Sequence, residues 1–345
     1  MIVQFRTIGV FKMRIWNQAK FENNKLIYFS QENRQNLIEA LIWACVYEAK
    51  LRRRIQESEL DGYYKRLEVK GDESIHCTES GKFRKLFGKS VKIDKNKKID
   101  NVYTKVFYGA SYNRVNPKIN SCPFATKGCV KLCLGHTTGH MTYPQNQKVQ
   151  ILKTLFWYSN PQMFIRRLII EIVNHCIVCA RKGYRAGFRL NGSTDIPWAR
   201  FIDIEMLSEI LEEEFGQAPI FYDYTKYPYE SMVKACGELP DPSRYHLTYS
   251  INEGKDSIKF ARQWISEGHG ACVVIRSKDG KIKSTRQLQL KICDQEWFEI
   301  DGVQFHPINA DLSDARFYDP KGSIGILHAK GREALTDESG FVRIY

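Results

Sequence analysis

From Val102 onward the chain alternates short apolar runs with stretches of helical spacing, and that alternation limits the folds open to it. The runs are VYTKVFYG, AGFRLNG, PIFYDYT, RYHLTYS, ACVVIR, VQFHPINADL and SIGILHAKG. Between them the pattern predicts a helix opened by Pro144, a second from Pro161 to Arg181, and three more near 204–215, 229–235 and 255–267. Strand followed by helix at this pace builds a parallel sheet, because parallel neighbours need a long return connection. Seven strands suffice for a (β/α) barrel, complete or partial, and an open doubly wound sheet is the alternative. This α/β fold is expected over residues 101–345, with residues 1–100 as an N-terminal extension made of an accessory module and a basic linker.

Polar residues gather where the apolar runs stop. RLNGSTD leaves its run with Asn191, Ser193, Thr194 and Asp195, and FYDYTK with Asp223, Thr225 and Lys226. HLTYSINE ends on Ser250, Asn252 and Glu253, and VVIR on Arg276. The later segments contribute Asp311, Asp314 and Arg316, then His328 and Lys330. In parallel α/β folds ligands bind at the carboxyl ends of the strands, where loops and helix N-termini converge. Asp195 and Ser250 could simply cap the next helix. Capping does not call for Lys226, Arg276 and Arg316, since cations oppose a helix N-terminus. The set reads as a polar pocket for an anionic ligand.

The segment SCPFATKGCVKLCLGHTTGH follows the first of these strands and opens onto the same face. It sets Cys122, Cys129 and Cys133 with six and then three residues between them, and His136 and His140 behind. Free cysteine behaves as a small hydrophobe, yet this stretch is polar and rich in glycine and lysine. Three thiolates here could close around a metal, and thiolate is the ligand that zinc and iron–sulfur clusters select. Cys176 and Cys179, beside His175, stand among Ile172, Val173, Ile177 and Val178 and are expected to face the core.

Composition narrows the setting. An apolar fraction of 43% and an aromatic fraction of 12% suit a packed core. No apolar run is long enough to span a membrane. The first residues, MIVQFRTIGVFKMRIWNQ, are broken by Arg6, Lys12 and Arg14 and read as strand, not signal peptide. A helix is expected around Leu37–Cys45, with a charged helix after it. Ten cysteines without an export signal imply reduced thiols in a cytoplasm. Of the net charge of +13, a net +7 lies between Gly81 and Lys105, from nine Lys/Arg against Asp94 and Asp100. That stripe fits a polyanionic partner or a solvated linker.

With these landmarks in view, the chain resembles a family of bacteriophage proteins that includes the one named gene product 88. The resemblance runs from about Lys105 to the C-terminus and rests on SCPFATKGCVKLCL, KTLFW, FRLNGSTDIPW, FYDYTK, YHLTYSINE and DLSDARFYDPKGSIGILHAKG. More distantly, the order of landmarks is similar to a phage family with a three-cysteine loop and a radical-SAM-like barrel. The cysteine spacing here is wider than the usual radical-SAM spacing. That second likeness implies a [4Fe–4S] cluster on Cys122, Cys129 and Cys133, with S-adenosylmethionine as cofactor, in the host cytoplasm.

Three functions follow as expectations. In the first, an iron–sulfur enzyme acts on a nucleotide or nucleic acid. Asn191, Ser193 and Asp195 then hydrogen-bond a ribose or amino-acid group, while Lys226, Arg276 and Arg316 meet phosphate or carboxylate. Ser250, Asn252, Asp311 and Lys330 complete the binding set, and Asp223 or Glu253 serves as general base. In the second, zinc held by the cysteines and His136 or His140 supports a noncatalytic nucleic-acid binder. In the third, Asp223 with Glu253, or Asp311 with Asp314, forms the carboxylate pair of a hydrolase or transferase. Nothing matches a phosphate loop, a dinucleotide fingerprint or a serine-nucleophile elbow.

Overall fold

The computed structural model describes residues 85–88, 93 and 96–345, and a short antiparallel hairpin of β1 (Lys20–Glu22) and β2 (Lys25–Ile27). The two helices expected between that hairpin and the basic stripe lie outside the described residues. The rest is a mixed α/β arrangement around one ten-stranded sheet. Its strands are β3 (Phe87–Gly88), β4 (Val102–Phe107), β5 (Arg185–Arg189), β6 (Ile220–Thr225), β7 (Tyr245–Ser250) and β8 (Gly270–Arg276). Then come β9 (Phe298–Ile300), β10 (Val303–Asn309), β11 (Ser323–His328) and β12 (Val342–Ile344). All seven expected strands are present.

Hydrogen bonds order the sheet β3-β4-β5-β6-β7-β8-β11-β10-β9. β4 through β8, β11 and β10 run parallel, whereas β3 and β9 are antiparallel edges. Along this path the sheet is open. β8 forks it: residues 270–272 pair with β7, and residues 274–276 pair with β12.

The helices that return the chain are α1 (Asn96–Ile99), α2 (Lys127–Lys131), α3 (Leu134–Thr137), α4 (Pro144–Ser159), α5 (Pro161–Lys182) and α6 (Ile204–Phe215). After them come α7 (Tyr229–Cys236), α8 (Ser257–Ser266), α9 (Ile282–Cys293) and α10 (Arg332–Leu335). The boundaries of α6 show why it sits where it does. The Asp203 carboxylate accepts from the Met206 N–H at 3.0 Å, and Gly216, at φ 75°, ends the helix in the left-handed region. None of the described helices is long and apolar enough to cross a membrane.

Strand residues alternate between two buried faces. Phe107, Phe188 and Phe221 join the core with α4 and α5, where Phe164 stacks on Trp198 at 5.8 Å. His175, Cys176 and Cys179 are buried there, and a His175 ring nitrogen meets the Tyr103 carbonyl at 2.6 Å. These are the core cysteines the sequence led us to expect.

The other face is lined by Thr104, Gly187, Arg189, Tyr222 and Tyr224. Thr104 and Tyr222 share a hydroxyl–hydroxyl hydrogen bond of 2.8 Å. The segment after β10 covers this face: Asp314 accepts from Arg189 at 2.8 Å, and Phe317 packs on Tyr222 at 5.1 Å. A side chain at Gly187 would bring a Cβ within 2.6 Å of Thr104 Oγ1, so only glycine fits this filled hollow.

The sheet also starts ahead of the expected boundary at residue 100. Glu171 accepts from the Leu86 and Phe87 N–H groups at 2.9 and 3.1 Å, and Lys153 Nζ donates to the Leu86 carbonyl at 2.6 Å. Leu86 is fully buried, so this part of the basic stripe belongs to the sheet and not to a linker. Lys97 likewise lies over the Tyr103 ring, 3.5 Å from its centre.

Candidate functional site

The chain leaves β4 into a long loop that crosses the carboxyl rim of the sheet and carries the three cysteines. Ser121 anchors its start. The Ser121 hydroxyl donates to the Ala110 carbonyl at 2.6 Å, and its own carbonyl accepts from the Asp195 N–H at 2.8 Å. Glu253, at the end of β7, clamps the middle. It accepts from the Thr126 hydroxyl and from the Gly128 N–H, both at 2.7 Å. Thr126 in turn caps α2 by accepting from the Cys129 N–H at 3.3 Å. A Cβ at Gly128 would fall 2.5 Å from Ser339 Oγ and 2.7 Å from Phe341 Cβ, so the helix seats directly against the C-terminal segment. Leu132 is buried with Ala329 and Val342.

Each of the three thiols is half-buried. Burial pushes the Cys122 thiol far up, and the charges of Asp195 and Cys133 add to the rise. Burial also raises Cys129; Lys226 opposes it, while Cys133, Asp195 and Glu253 reinforce it. Cys133 is therefore within electrostatic reach of both other thiols. Cys122 Sγ accepts from the Tyr112 N–H at 3.3 Å.

Among the described residues, no three His, Cys, Asp or Glu side chains are gathered so as to hold a metal ion. His140 is exposed, and His136 Nδ1 lies 3.4 Å from Ser111 Oγ. Burial and the Arg114 charge lower the His136 pKa.

Besides Glu253, two more of the expected strand-end residues face the loop directly. Lys226 Nζ donates to the Ser250 carbonyl and hydroxyl, both at 2.7 Å, and lies 4.3 Å from the Phe341 ring centre. Burial lowers its pKa, while Cys129, Cys272, Asp195 and Glu253 hold it up. Asp195 is buried. Its Oδ2 accepts from the Lys226 N–H at 2.8 Å, and its Oδ1 is buried with no hydrogen-bond partner. Burial raises this carboxyl to about 7, against the Lys226 N–H, the Thr225 hydroxyl and the Lys226 charge. Ser193 joins the same rim, donating to the Gly109 carbonyl at 2.7 Å.

The other expected ligand residues serve the scaffold. Asn191 accepts from Thr194 Oγ1, the Ile196 N–H and Trp198 Nε1, and donates to the Ile196 carbonyl; its amide shapes the turn. Asp223 accepts from the Asn191 N–H at 2.7 Å, the Tyr245 hydroxyl at 2.9 Å and the Leu190 N–H at 3.2 Å. Burial raises it to about 7, in line with the expectation for a base, but both oxygens are occupied inside the protein. Asn252 Oδ1 accepts from the Gly254 N–H at 2.8 Å. Arg276 donates to the carbonyls of Asp337 and Ser277, and Arg316 to that of Ser313. Arg316 sits in the filled hollow with Arg189 and Asp314, a buried pair that the sequence reading did not single out.

Asp311 forms a separate cluster. It takes the His328 ring at 2.6 Å, the His328 N–H at 3.0 Å, Gln289 Nε2 at 2.9 Å and the Lys330 ammonium. Burial would raise its pKa, but the His328 and Lys330 hydrogen bonds outweigh it and hold the carboxyl far below the unfolded value of 3.8. A depressed acid stabilises the fold above the unfolded value and loses that contribution progressively as pH falls from there toward the lowered folded value. Urea unfolding of the wild type and Asp311→Asn should therefore differ most near pH 7, and the gap should close as pH falls below about 4. A gap that stays constant with pH would refute this role.

A family profile described as gene product 88 matches residues 83–343. No curated protein and no solved structure matches the chain. The matched span starts just ahead of Leu86 and Phe87, earlier than the landmarks in the sequence reach.

Proposed function

The chain belongs to the gene product 88 family, and from that premise we propose that it is a phage-encoded iron–sulfur enzyme, radical-SAM-like, that acts on a nucleotide or nucleic acid in the host cytoplasm. The observation that carries this reading is the seating of one capped, three-cysteine loop on the rim: its start accepts from the Asp195 N–H, Glu253 clamps its middle, and Cys133 Sγ and Ser193 share the space beside Gly135. Three soft donors on one capped loop fit a cluster better than a single ion. In a cluster each thiolate takes its own iron, so the sulfurs need not crowd one point. When bound, a [4Fe–4S] group supplies an open iron for an amino-acid or nucleotide ligand, S-adenosylmethionine included, and a source of one electron.

The chain's own residues frame that space. Lys226, held by Ser250, presents a fixed cation to an anionic group, and Asp195 presents an acceptor. Glu253 positions the loop and is not free to act as base. Exposed Lys127 and Lys131 lie between exposed Phe124 and Leu134 on the same loop, a mixture suited to a phosphate backbone with stacked bases. We read the open sheet, with its second face filled, as a partial barrel.

The full chain purified without oxygen should be brown and carry roughly four irons with matching sulfide. Cys129→Ser should lose both colour and iron. A colourless protein with stoichiometric zinc would replace this reading with the zinc-binding one, and a protein without metal would end both.

A further inference from the structure

A cavity of about 180 Å³ opens beside the cysteine loop, between the start of that loop, the junction of α4 with α5 and the turn after β5. Drug-sized sites run to roughly 300 Å³ and more, so this one takes a fragment the size of a single ring. Polar and apolar groups share its walls. The apolar part is rigid: Trp157 and Phe201 meet edge to face with ring centres 4.8 Å apart, and Ile196 and Pro197 continue that wall.

The polar part is rich in donors. Arg200 lines the cavity with its guanidinium 5.7 Å from the Phe201 ring centre, and a guanidinium carries its N–H groups in a flat fork. Asn120 spends its Oδ1 on the Cys122 N–H at 2.9 Å, which leaves its NH₂ as a donor. Tyr227 is only 6% exposed, yet its hydroxyl keeps some accessible surface and has no hydrogen-bond partner among the described residues. The amino end of α5 reaches the same wall at Pro161, and no acid in its first turn offsets the positive end of the helix dipole. Asp195 brings no free oxygen to the cavity: its Oδ1 has no accessible surface, its Oδ2 accepts from the Lys226 N–H at 2.8 Å, and the Lys226 charge offsets its own. A cation among uncharged donors selects an anion, and the flat fork of Arg200 matches a carboxylate. The aromatic wall selects an apolar body attached to it.

We propose that this cavity binds a small organic carboxylate, with its head among Arg200, Asn120 and the Tyr227 hydroxyl and its ring or branched body against Trp157 and Phe201. The site goes beyond the cluster reading and holds whichever metal, if any, the cysteines take.

Isothermal titration of the full chain with benzoate tests it. Benzamide serves as the uncharged isostere and acetate as the head without the body. Benzoate should bind, and both controls should bind roughly tenfold more weakly or worse, the scale of a lost charge-assisted contact. Arg200→Gln should bring benzoate down to the level of benzamide. Tyr227→Phe keeps a ring to pack on Phe124, whose centre lies 4.4 Å away, and should weaken benzoate by roughly tenfold, the scale of one hydrogen bond to a charged group. If Arg200→Gln fails to fold, the wild-type preference and the Tyr227→Phe protein still decide. Equal binding of benzoate and benzamide, no benzoate binding, or undiminished binding in Tyr227→Phe overturns the site. Tighter binding of phenyl phosphate than of benzoate overturns the carboxylate assignment. None of these outcomes bears on the cluster, which iron analysis of the same preparation decides.

Discussion

An Asp223→Ala protein is expected to lose about 4 kcal/mol of stability, because three buried donors would be left with no acceptor. The Leu190 and Asn191 N–H groups and the Tyr245 hydroxyl all converge on this one carboxylate. Water cannot replace it, since Asp223 is only 1% exposed. Asp223→Asn should cost less. Its carbonyl oxygen still accepts from Asn191, and the Tyr245 hydroxyl can turn to accept from the new amide; only the Leu190 N–H is left facing a donor. Chemical denaturation of the three proteins at pH 7 checks the order wild type, Asn, Ala. Near-equal stability of Ala and wild type would remove Asp223 from the scaffold and return it to the list of possible bases.

The second large effect is expected at Glu253. Replacing it with alanine deletes the two hydrogen bonds by which it clamps the middle of the cysteine loop, each to an ionised acceptor and worth roughly 1.5–3 kcal/mol. The loop should then open locally without unfolding the sheet. Alkylation of Cys129 and Cys133, followed by mass spectrometry, should speed up at least tenfold, while Cys176 and Cys179 in the core stay protected. Glu253→Gln separates the geometry of the clamp from its charge. Its amide oxygen can accept from Gly128 and its NH₂ can donate to the Thr126 hydroxyl, so the loop should stay closed although the charge is lost. Fast alkylation in the Gln protein, or slow alkylation in the Ala protein, would count against the clamp.

Much of the fold was legible because its strands are short, apolar and regularly spaced. β6 to β8 fall within a residue of the expected runs, β5 starts within a residue of its run and ends three short of it, and α6 matches at both ends because Asp203 and Gly216 mark them chemically. α9 was missed because its sequence, IKSTRQLQLKIC, buries Thr285 and Gln289 along with Ile292, and no apolar stripe appears. β12 was missed because it is three residues long and depends on pairing with a strand some seventy positions earlier.

The site was legible in its chemistry but less so in its roles. Polar residues at strand ends look alike in a sequence, whether they face a ligand or a backbone N–H. Asn191 and Asp223 turned inward, because the sharp turn after β5 exposes donors that they satisfy. Lys226 and Asp195 stayed at the rim because the cysteine loop lies over them. The pairing of Arg189 with Asp314 gave no local signal, the two being 125 residues apart.

The forked sheet has one more consequence. With β7 along its first half and β12 along its second, β8 is the point where a tenth strand acts as a shim driven into the mouth of the fold. It takes the place beside β8 that the chain after β7 leaves, one strand width of about 4.8 Å, and Arg343 ties it to the Asn252 carbonyl. Relatives that lengthen, shorten or lose this shim would carry the same loop over a wider or narrower doorway, and so admit ligands of a different girth.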